Sequence, residues 1–562
     1  MMADKNNISF RIKLYRTWQT TETGNAVLYE KGFFPAGHKS AVPYQQLEEL
    51  IRKALDKGSL SSNEIDILAT PATNILVCDD EVFFKADIIR TQPLFYGKTD
   101  GGFFVTDSLE SYQDEFGLFE IEVSHLDEYL TACYVFGNKT LYKNVFVLQP
   151  GEVVGLNAQA VKSFRYFSFI PVGEQKEYND DHLFVKDFDL VMSKVIERML
   201  ASAKQGTRWV LPLSGGHDSR MLANYLYKAG VKEVLCFSYG TPGNAQSEIS
   251  RRVAEALGYK WHFVEYSEEK WGQLHSSNIF KTYINYAGKA SSSPHLQDLL
   301  AMHELKTTGI LKEGDIIVPG HALDFIAGSH LTNADITATD EKEYLKNVFQ
   351  KFAPREKGKR NGFAYASFEA VWKKAACKPS HFQEYFNWQE RQTKNIVNSI
   401  RIYEFFGFDV RLPYWDKIIV DFWLGIKPGH REKRNLLLRS ERKGLLCDEI
   451  KNIEFEDEMN PVKEKKSHSL IRQVVPRPII RFLLRLLKRK QVFAEGLNLV
   501  YAMEGKTIKD ILSPVEDFPE GSVKYFKEFL GSYPFQLDYD FLTNLYCVRM
   551  LLNEQKKNNG KL

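Results

Sequence analysis

A short string of serine, glycine and aspartate lies between an apolar run and a helix-forming stretch. Residues 208–213 are mostly apolar, Ser-Gly-Gly-His-Asp-Ser occupies 214–219, and a helical pattern begins at Arg220. The two glycines let the backbone approach a ligand closely, the serines add hydroxyl groups, and the N-terminus of the following helix favours an anion. This arrangement predicts a phosphate-binding loop.

An acidic residue sets this loop apart from the common nucleotide-binding loop. No lysine follows the glycines, and Asp218 stands among the groups predicted to face phosphate. A carboxylate beside phosphate requires a cation, and Mg²⁺ held by one or two carboxylates and phosphate oxygens meets that requirement. The six-residue string resembles the pyrophosphate-binding loop of the N-type ATP pyrophosphatases, which cleave ATP between its α and β phosphates to adenylate a substrate.

Three further segments, 236–257, 318–328 and 410–416, resemble the asparagine synthetase family, which includes β-lactam synthetases and lasso-peptide cyclases. The resemblance implies ATP and Mg²⁺ as cofactors, with Asp324 as a second Mg²⁺ ligand beside Asp218. It also implies that Arg411 and Asp416 tie the helical C-terminal part to the site. The implied ATP-binding residues are Leu213, Ser214, Gly215, Gly216, Asp218, Ser219, Phe237, Ser238 and Gly320.

The 318–328 segment departs from the family's pattern at two charged positions. Phe325 follows Asp324 where an acid is usual, and His321 stands where many relatives carry an acid. That acid can act as base on the attacking amine, and His321, with an ordinary pKa of about 6.5, could do the same. Alternatively, His321 is a loop histidine hydrogen-bonded to backbone.

A third departure concerns the lysine that follows the Arg-x-Pro signature in synthetases of this family. Aligning Arg439 with the family's trailing arginine puts Asn435 at the lysine position. Lys433 and Arg434 lie within one turn, and either could stabilise the negative charge that develops on pyrophosphate. Alternatively, both belong to the solvated start of a basic helix.

Residues 1–175 resemble the family's glutamine-hydrolysing domain in the segments 87–96, 102–108 and 148–152. The family's nucleophile is an N-terminal cysteine whose α-amine serves as base. Here position 2 is Met2, the first cysteine is Cys78, and of the glutamine pocket only Asp87 is in register. We therefore expect ammonia from solution or from another protein, or an amine on the substrate itself, to be the nucleophile.

Two different patterns of secondary structure must position these residues. In 1–175, strands at 8–15, 26–29, 75–77, 81–85, 102–106 and 145–148, with helices at 44–57 and 124–135, predict a mostly β region, and the family resemblance implies that it is a sandwich of antiparallel sheets. In 181–562, strands at 208–213, 233–238, 261–264 and 315–318 alternate with helices at 185–203, 220–229 and 245–257. This alternation predicts a parallel sheet with crossover helices and a helical C-terminal extension, with the site at the carboxyl ends of the strands.

Composition narrows the expected partners. The 562 residues exceed a single core, and 74 Lys and Arg balance 72 Asp and Glu, so no nucleic-acid partner is predicted. Six scattered cysteines, no signal-peptide core and no run of about 18 apolar residues predict a cytoplasmic protein. Nothing in the sequence sets the oligomeric state.

One segment, 476–490, combines basic and apolar residues in a pattern that suits an amphipathic helix. If helical from Ile479, it places Arg481, Arg485, Lys488 and Arg489 in a narrow cationic stripe on an otherwise apolar helix. It could contact a membrane surface or an anionic carrier. A helix packed within the domain, with its charged stripe in solvent, is favoured.

Together these features predict an ATP-dependent ligase that activates a carboxylate as acyl-AMP, releases pyrophosphate and forms an amide with ammonia or an amine. Asparagine formation from aspartate is the family's default. The alternative within this chemistry is an amidating enzyme or an intramolecular cyclase that acts on a peptide or sugar carboxylate. An interpretation of another class is a nucleotide-binding scaffold without catalysis, because Phe325 and Asn435 stand where charged groups are expected.

Overall fold

The computed structural model describes residues 10–459, apart from gaps at 25, 33–41, 79, 100–101, 118, 158–159, 338–339 and 354–362, and also residues 547, 548, 550 and 551. Position 2 and the basic segment 476–490 lie outside the described residues. In the described part, parallel and antiparallel sheets combine with many helices.

The strands are β1 (Phe10–Lys13), β2 (Gln19–Thr23), β3 (Ala26–Gly32), β4 (Ala72–Cys78), β5 (Glu81–Lys85), β6 (Phe95–Thr99), β7 (Gly102–Thr106), β8 (Val145–Val147), β9 (Glu152–Leu156), β10 (Val161–Arg165), β11 (Trp209–Pro212), β12 (Val234–Gly240), β13 (Lys260–Glu265), β14 (Ile316–Ile317) and β15 (Asp409–Val410).

The α-helices are α1 (Tyr44–Lys57), α2 (Ser62–Leu68), α3 (Leu109–Phe116), α4 (Val123–Ala132), α5 (Asp181–Ala201), α6 (His217–Lys228), α7 (Ala245–Ala256), α8 (Glu268–Ser276), α9 (Asn278–Ala287), α10 (Leu299–Thr307), α11 (Leu323–Ile326), α12 (Asn333–Ile336), α13 (Glu341–Phe352), α14 (Phe363–Ala375), α15 (Pro379–Phe386), α16 (Arg401–Phe405), α17 (Lys417–Leu424), α18 (Pro428–Arg431), α19 (Asn435–Ser440) and α20 (Glu456–Met459). Short 3₁₀ helices span Val397–Ile400, Pro413–Trp415 and Glu432–Arg434, and π-helices span Asn387–Ile396 and Glu441–Leu445.

The first ten strands form two sheets that face each other. One sheet has the order β1-β7-β6-β8, and the other, fully antiparallel, has the order β10-β9-β5-β4-β3-β2. Apolar side chains from both sheets meet between them, as in the contact of Phe84 with Tyr96, whose ring centroids are 5.1 Å apart. Strands β4, β5 and β9 are buried on both faces, because the smaller sheet covers one face of the larger sheet and α1 packs on the other.

The second part is built on a five-stranded parallel sheet of order β13-β12-β11-β14-β15. Helix α6 connects β11 to β12, and α7 connects β12 to β13. Because the chain continues to β12 on one side of β11 and reaches β14 on the other, the strand order reverses beside β11. Open parallel sheets bind ligands in the crevice at the carboxyl ends of strands at such a reversal.

Several predicted boundaries are confirmed and others shift for local reasons. Helix α1 and strand β5 have their predicted bounds, whereas α4 ends at Ala132 because Cys133 adopts a left-handed φ of 74°. Helix α6 begins at His217, three residues before its predicted start, because the extended backbone of Gly216 already opens the helix there. Asp218 therefore lies in the first helical turn rather than in the loop.

The π-helix Asn387–Ile396 carries contacts between the two parts of the chain. Trp388 Nε1 donates to the carbonyl of Ile88 at 2.8 Å, and Lys394 Nζ donates to the carbonyls of Val135 and Gly137 at 2.5 and 2.6 Å. These bonds place the side of the β sandwich against the helices that border the parallel sheet. The last sandwich strand ends at Arg165 and α5 begins at Asp181.

Candidate functional site

The loop between β11 and α6 is closed by its own serines. The backbone N–H of Ser214 donates to Ser219 Oγ at 3.1 Å, and the N–H of Gly216 donates to Ser214 Oγ at 3.2 Å. No side chain caps the N-terminus of the twelve-residue helix α6. The first N–H groups of that helix therefore lack the usual side-chain acceptor, which is the arrangement that binds phosphate.

A second loop meets the first through a glycine and an aspartate. A Cβ added to Gly320 would lie 2.9 Å from the backbone nitrogen of Ser219, so glycine permits the two loops to touch. The backbone N–H of Asp324, in the first turn of α11, donates to Asp218 Oδ2 at 2.9 Å. The two carboxylates predicted as Mg²⁺ ligands are thereby brought together.

The electrostatics of this pair fit a bound cation. The Asp218 side chain is 19% exposed. Burial, followed by the charge of Asp324, raises the pKa of Asp218 to about 7. Among the described residues no group of three or more His, Cys, Asp or Glu side chains is arranged to hold a metal alone. Two carboxylates completed by phosphate oxygens are a donor set suited to Mg²⁺.

Both loops open into one cavity of about 530 Å³. Eight of the predicted site residues line it: Ser214, Gly216, Asp218, Ser219, Gly320, His321, Asp324 and Arg434. The other five predicted residues do not line the cavity. The side chains of Leu213 and Phe237 are in the apolar core, and Ser238 Oγ donates to the carbonyl of Leu213 at 2.6 Å. Gly215 packs under Gln246 and Glu456, and Lys433 is exposed.

The structure distinguishes between the two basic candidates that follow α18. Arg434 Nη1 lies 4.0 Å from Asp218 Oδ1, and the Arg434 side chain is 22% exposed. Lys433 is exposed and contributes its backbone N–H to the carbonyl of Leu331 at 3.1 Å. Both residues have left-handed backbones, with φ of 50° and 62°, which non-glycine residues adopt at a cost and which recur at functional sites.

His321 contacts the cavity as a neutral imidazole. Burial lowers its pKa to about 4, although the charges of Asp298 and Asp324 act in the opposite direction. Its Nδ1 atom is buried and makes no hydrogen bond with any described residue. The alternative of a loop histidine bonded to backbone therefore finds no support at Nδ1.

Phe325 belongs to the core and not to the site. It is 1% exposed and packs on Phe169 and His330, each with a ring centroid 4.9 Å away, and on Trp415 at 5.8 Å. Because consecutive residues on a helix face different directions, the residue after Asp324 points away from the cavity. The aromatic side chain joins α11 to the end of the sandwich region.

The 410–416 signature contacts the site differently from the expectation. Arg411 Nε donates to Ser202 Oγ at 2.7 Å, and Asp416 pairs with Arg198 Nε at 2.8 Å, so both charged residues bind α5 or its end. The expected tie of Arg411 and Asp416 to the site is not seen in these bonds, and neither residue lines the cavity. Tyr414 makes the link instead, donating its hydroxyl to the carbonyl of Asp218 at 2.8 Å.

Sequence reasoning identifies only part of the cavity lining. Tyr239, His295, Gln297, Asp298, Ile396, Ser399, Tyr403, His217, Glu456 and Asp457 also line it. Tyr239 could have been found because it lies at the carboxyl end of β12. Asp298 and Tyr403 carry no sequence signal, since they come together only through the packing of α10 and α16.

The acidic segment 454–459 lies across the serine loop. The backbone N–H of Glu456 donates to the carbonyl of Gly215 at 3.2 Å, and Gln246 Nε2 donates to Glu456 Oε1 at 2.8 Å. His217 stacks on Phe455 with ring centroids 3.9 Å apart and lies 3.3 Å from Asp457 Oδ2. The rim of the cavity thus carries negative charge beside the predicted phosphate site.

In the sandwich, the carboxylate of Asp87 is hydrogen-bonded within its own turn. Its carboxylate accepts hydrogen bonds from the backbone N–H groups of Ile89 and Thr91 and from the Thr91 hydroxyl. Cys78, in β4, is 8% exposed and lies in the apolar core. The register of Asp87 with the glutamine pocket therefore reflects a structural turn.

Comparison with known proteins adds little to this geometry. No protein-family model and no curated protein matches the chain. Among solved structures it is similar to an NH3-dependent NAD synthetase from Campylobacter jejuni (15% identity, 39% of this chain and 96% of that chain, TM-score 0.20) and to an NMN synthetase from Francisella tularensis (13% identity, 44% and 93%, TM-score 0.17). It is also similar to a tRNA thiolase from Methanococcus maripaludis (13% identity, 40% and 85%, TM-score 0.21).

At these identities and TM-scores the similarities carry no argument about fold or activity. The proposed function therefore rests on the residues that line the cavity.

Among the described residues, no helix is both long and apolar enough to cross a membrane.

Proposed function

We propose that the chain is an ATP-dependent, AMP-forming ligase that activates a carboxylate as acyl-AMP and transfers the acyl group to ammonia or an amine. The observation that carries this proposal is the pairing of Asp218 with Asp324 beside the uncapped N-terminus of α6, in one cavity at the strand-order reversal. Phosphate, a divalent cation and a second substrate all have complementary groups there.

The residues of the serine loop would bind the pyrophosphate portion of ATP. Ser214, Gly216 and Ser219 line the cavity, and the hydroxyls and helix N–H groups there are donors to phosphate oxygens. Asp218 and Asp324 would hold Mg²⁺, which when bound polarises the phosphates and neutralises charge on the leaving pyrophosphate. Arg434 supplies a second positive charge beside Asp218.

His321 would act on the attacking nitrogen. A neutral imidazole with a free Nδ1 can accept a hydrogen bond from an amine. Its pKa of about 4 makes it a weaker base than an ordinary histidine, so positioning of the amine is its main expected contribution. The β sandwich of residues 1–175 is proposed as a glutaminase-like domain without activity, followed by the ligase domain in 181–562.

The identity of the carboxylate is the open choice within this function. Aspartate is the default of the family that the motifs resemble, and a peptide or sugar carboxylate is the alternative. The scaffold interpretation has less support, since Phe325 lies in the core and Arg434 places a positive charge 4.0 Å from Asp218.

The test is ¹⁸O transfer. A carboxylate activated as acyl-AMP passes one of its oxygens to AMP when the amide forms. The purified chain is incubated with Mg²⁺, ATP, ammonium or an amine, and a panel of ¹⁸O-labelled carboxylates. We expect pyrophosphate release that depends on one carboxylate class, with ¹⁸O in the AMP. Pyrophosphate release without label in AMP, or binding of ATP without any turnover across the panel, would contradict the proposal.

A further inference from the structure

Asp298 is a buried carboxylate in the wall of the cavity. It is 8% exposed, and its two oxygens accept hydrogen bonds from the hydroxyls of Tyr239 and Tyr403. Asp298 stands at the N-cap position of α10 but makes no capping hydrogen bond. An aspartate at this position ordinarily stabilises its helix by accepting a backbone N–H. Here the side chain is turned towards the cavity instead.

The partners of Asp298 leave its charge uncompensated. Burial, and then the charge of Asp298, raise the pKa values of Tyr239 and Tyr403 well above their ordinary value, so both remain neutral hydrogen-bond donors. Among the described residues no lysine or arginine pairs with Asp298. Buried carboxylates in proteins are ordinarily paired with a cation or a metal.

The cavity as a whole has an excess of negative charge. Five carboxylates line it, those of Asp218, Asp298, Asp324, Glu456 and Asp457, against one arginine, Arg434. Arg434 lies against Asp218, near the serine loop. Besides these charged groups, the polar lining residues include His295, Gln297, Ser399 and the two tyrosines. Arg434 lies beside Asp218, and no other lysine or arginine in the described part of the chain lines the cavity, so an anionic substrate group next to Asp298 would find no fixed positive charge.

We propose that Asp298 binds a primary ammonium group on a substrate, an inference that rests on the proposed ligase function. The ammonium would donate to the carboxylate lone pairs that the tyrosines leave unoccupied, forming a charge-assisted pair in a largely buried setting. His321, which lies within electrostatic range of both Asp298 and Asp324, also lines the cavity. A substrate whose second group is an anion, such as a simple dicarboxylate, does not suit the wall that Asp298 forms.

The proposal is tested by binding, with the full chain loaded with Mg²⁺ and α,β-methylene ATP. Calorimetric titration compares n-butylammonium with n-butanoate and succinate. We expect n-butylammonium to bind, and Asp298→Asn to weaken it by at least about tenfold, since a charge-assisted hydrogen bond is lost. Asp56→Asn, at an exposed carboxylate of the sandwich, is the matched control and should bind as the wild type does.

The ammonium could belong to the activated acid or to the nucleophile, and turnover distinguishes these sources. Pyrophosphate release with 5-aminopentanoate alone, lost in Asp298→Asn, assigns the group to the acid. An amide formed from n-butylammonium and a separate acid assigns it to the nucleophile.

Binding of butanoate or succinate without n-butylammonium, or unchanged n-butylammonium affinity in Asp298→Asn, would overturn the inference. If Asp298→Asn does not fold, the wild-type titrations alone decide. Intact binding of the ATP analogue with no ammonium binding removes only this inference. Absence of nucleotide binding by the wild type would contradict the proposed function. The ammonium titrations, repeated without nucleotide, then test the Asp298 inference separately.

Discussion

The backbone N–H of Asp324 donates a 2.9 Å hydrogen bond to Asp218 Oδ2 across 106 positions of the chain. One residue lies in the first turn of α6, after β11, and the other in the first turn of α11, after β14. Since β11 and β14 are parallel neighbours, their carboxyl ends place both first turns at one edge of the sheet. The carboxylate pair is therefore a product of sheet topology.

Replacing either aspartate should remove turnover. Asp218→Asn and Asp324→Asn each delete a proposed Mg²⁺ ligand with little change in size, and we expect pyrophosphate release to fall by about 10² or more. The measurement is the initial rate of pyrophosphate release over a range of Mg²⁺ concentrations. Asp56→Asn serves as the control. Wild-type rates in either site variant would exclude the metal assignment.

Alanine substitutions at Arg434 and Lys433 should differ strongly in their effect on the rate of pyrophosphate release. Arg434→Ala removes the cation next to Asp218 and should lower the rate of pyrophosphate release by about 10²–10³, with a smaller effect on ATP affinity. Lys433→Ala should leave the rate unchanged, because Lys433 is exposed and does not line the cavity. The two variants are matched, since both substitute alanine at a left-handed position. A larger loss in Lys433→Ala than in Arg434→Ala would reverse the assignment.

A buried ion pair behind the Asp324 loop should control acid stability. Arg431 donates two hydrogen bonds to Glu384, of 2.6 and 2.9 Å, with both side chains fully buried. Gly328, with φ of 92°, packs so closely that an added Cβ would lie 2.4 Å from the Arg431 carbonyl oxygen. Breaking one half of such a pair costs about 3–5 kcal/mol, so Glu384→Gln should lower the free energy of unfolding by that amount.

The same pair predicts the direction of the pH dependence. Burial acts to raise the pKa of Glu384, but the charge and hydrogen bonds of Arg431 outweigh it and lower the pKa below the ordinary 4.5. The stabilisation is therefore fully present above pH 4.5 and is lost as the pH falls through the lowered value. Denaturant unfolding at pH 7 and at decreasing acid pH measures it. Parallel acid dependence in the wild type and Glu384→Gln would contradict this role.

Glutamine should not serve as nitrogen donor. The Asp87 carboxylate is hydrogen-bonded within its own turn, and Cys78 is buried in the apolar core, so neither is presented to a glutamine substrate. We expect no glutamate release above background when the purified chain is incubated with glutamine, with or without Mg²⁺ and ATP. Glutamate release that disappears in Cys78→Ala would show that this domain hydrolyses glutamine.

Local sequence pattern predicts many of the helices and strands. The bounds of α1 and β5, the sandwich strands around them, and the strand–loop–helix unit at 209–228 follow from periodicity and from the glycine pair. Strands such as β2, β6 and β10 were not predicted, because short strands owe their form to pairing with neighbours more than to their own residues.

By itself the sequence determined which hydroxyl, carboxylate and backbone groups the serine loop carries and which residues are candidates for a second carboxylate, because these depend on residue types within a few positions of one another. Tertiary structure decided which groups face the cavity. It selected Arg434 over Lys433, turned Phe325 into the core, replaced Arg411 by Tyr414 as the link to Asp218, and brought Asp298 to Tyr239 and Tyr403. Side-chain direction depends on packing between segments distant in the chain, and no local pattern encodes it.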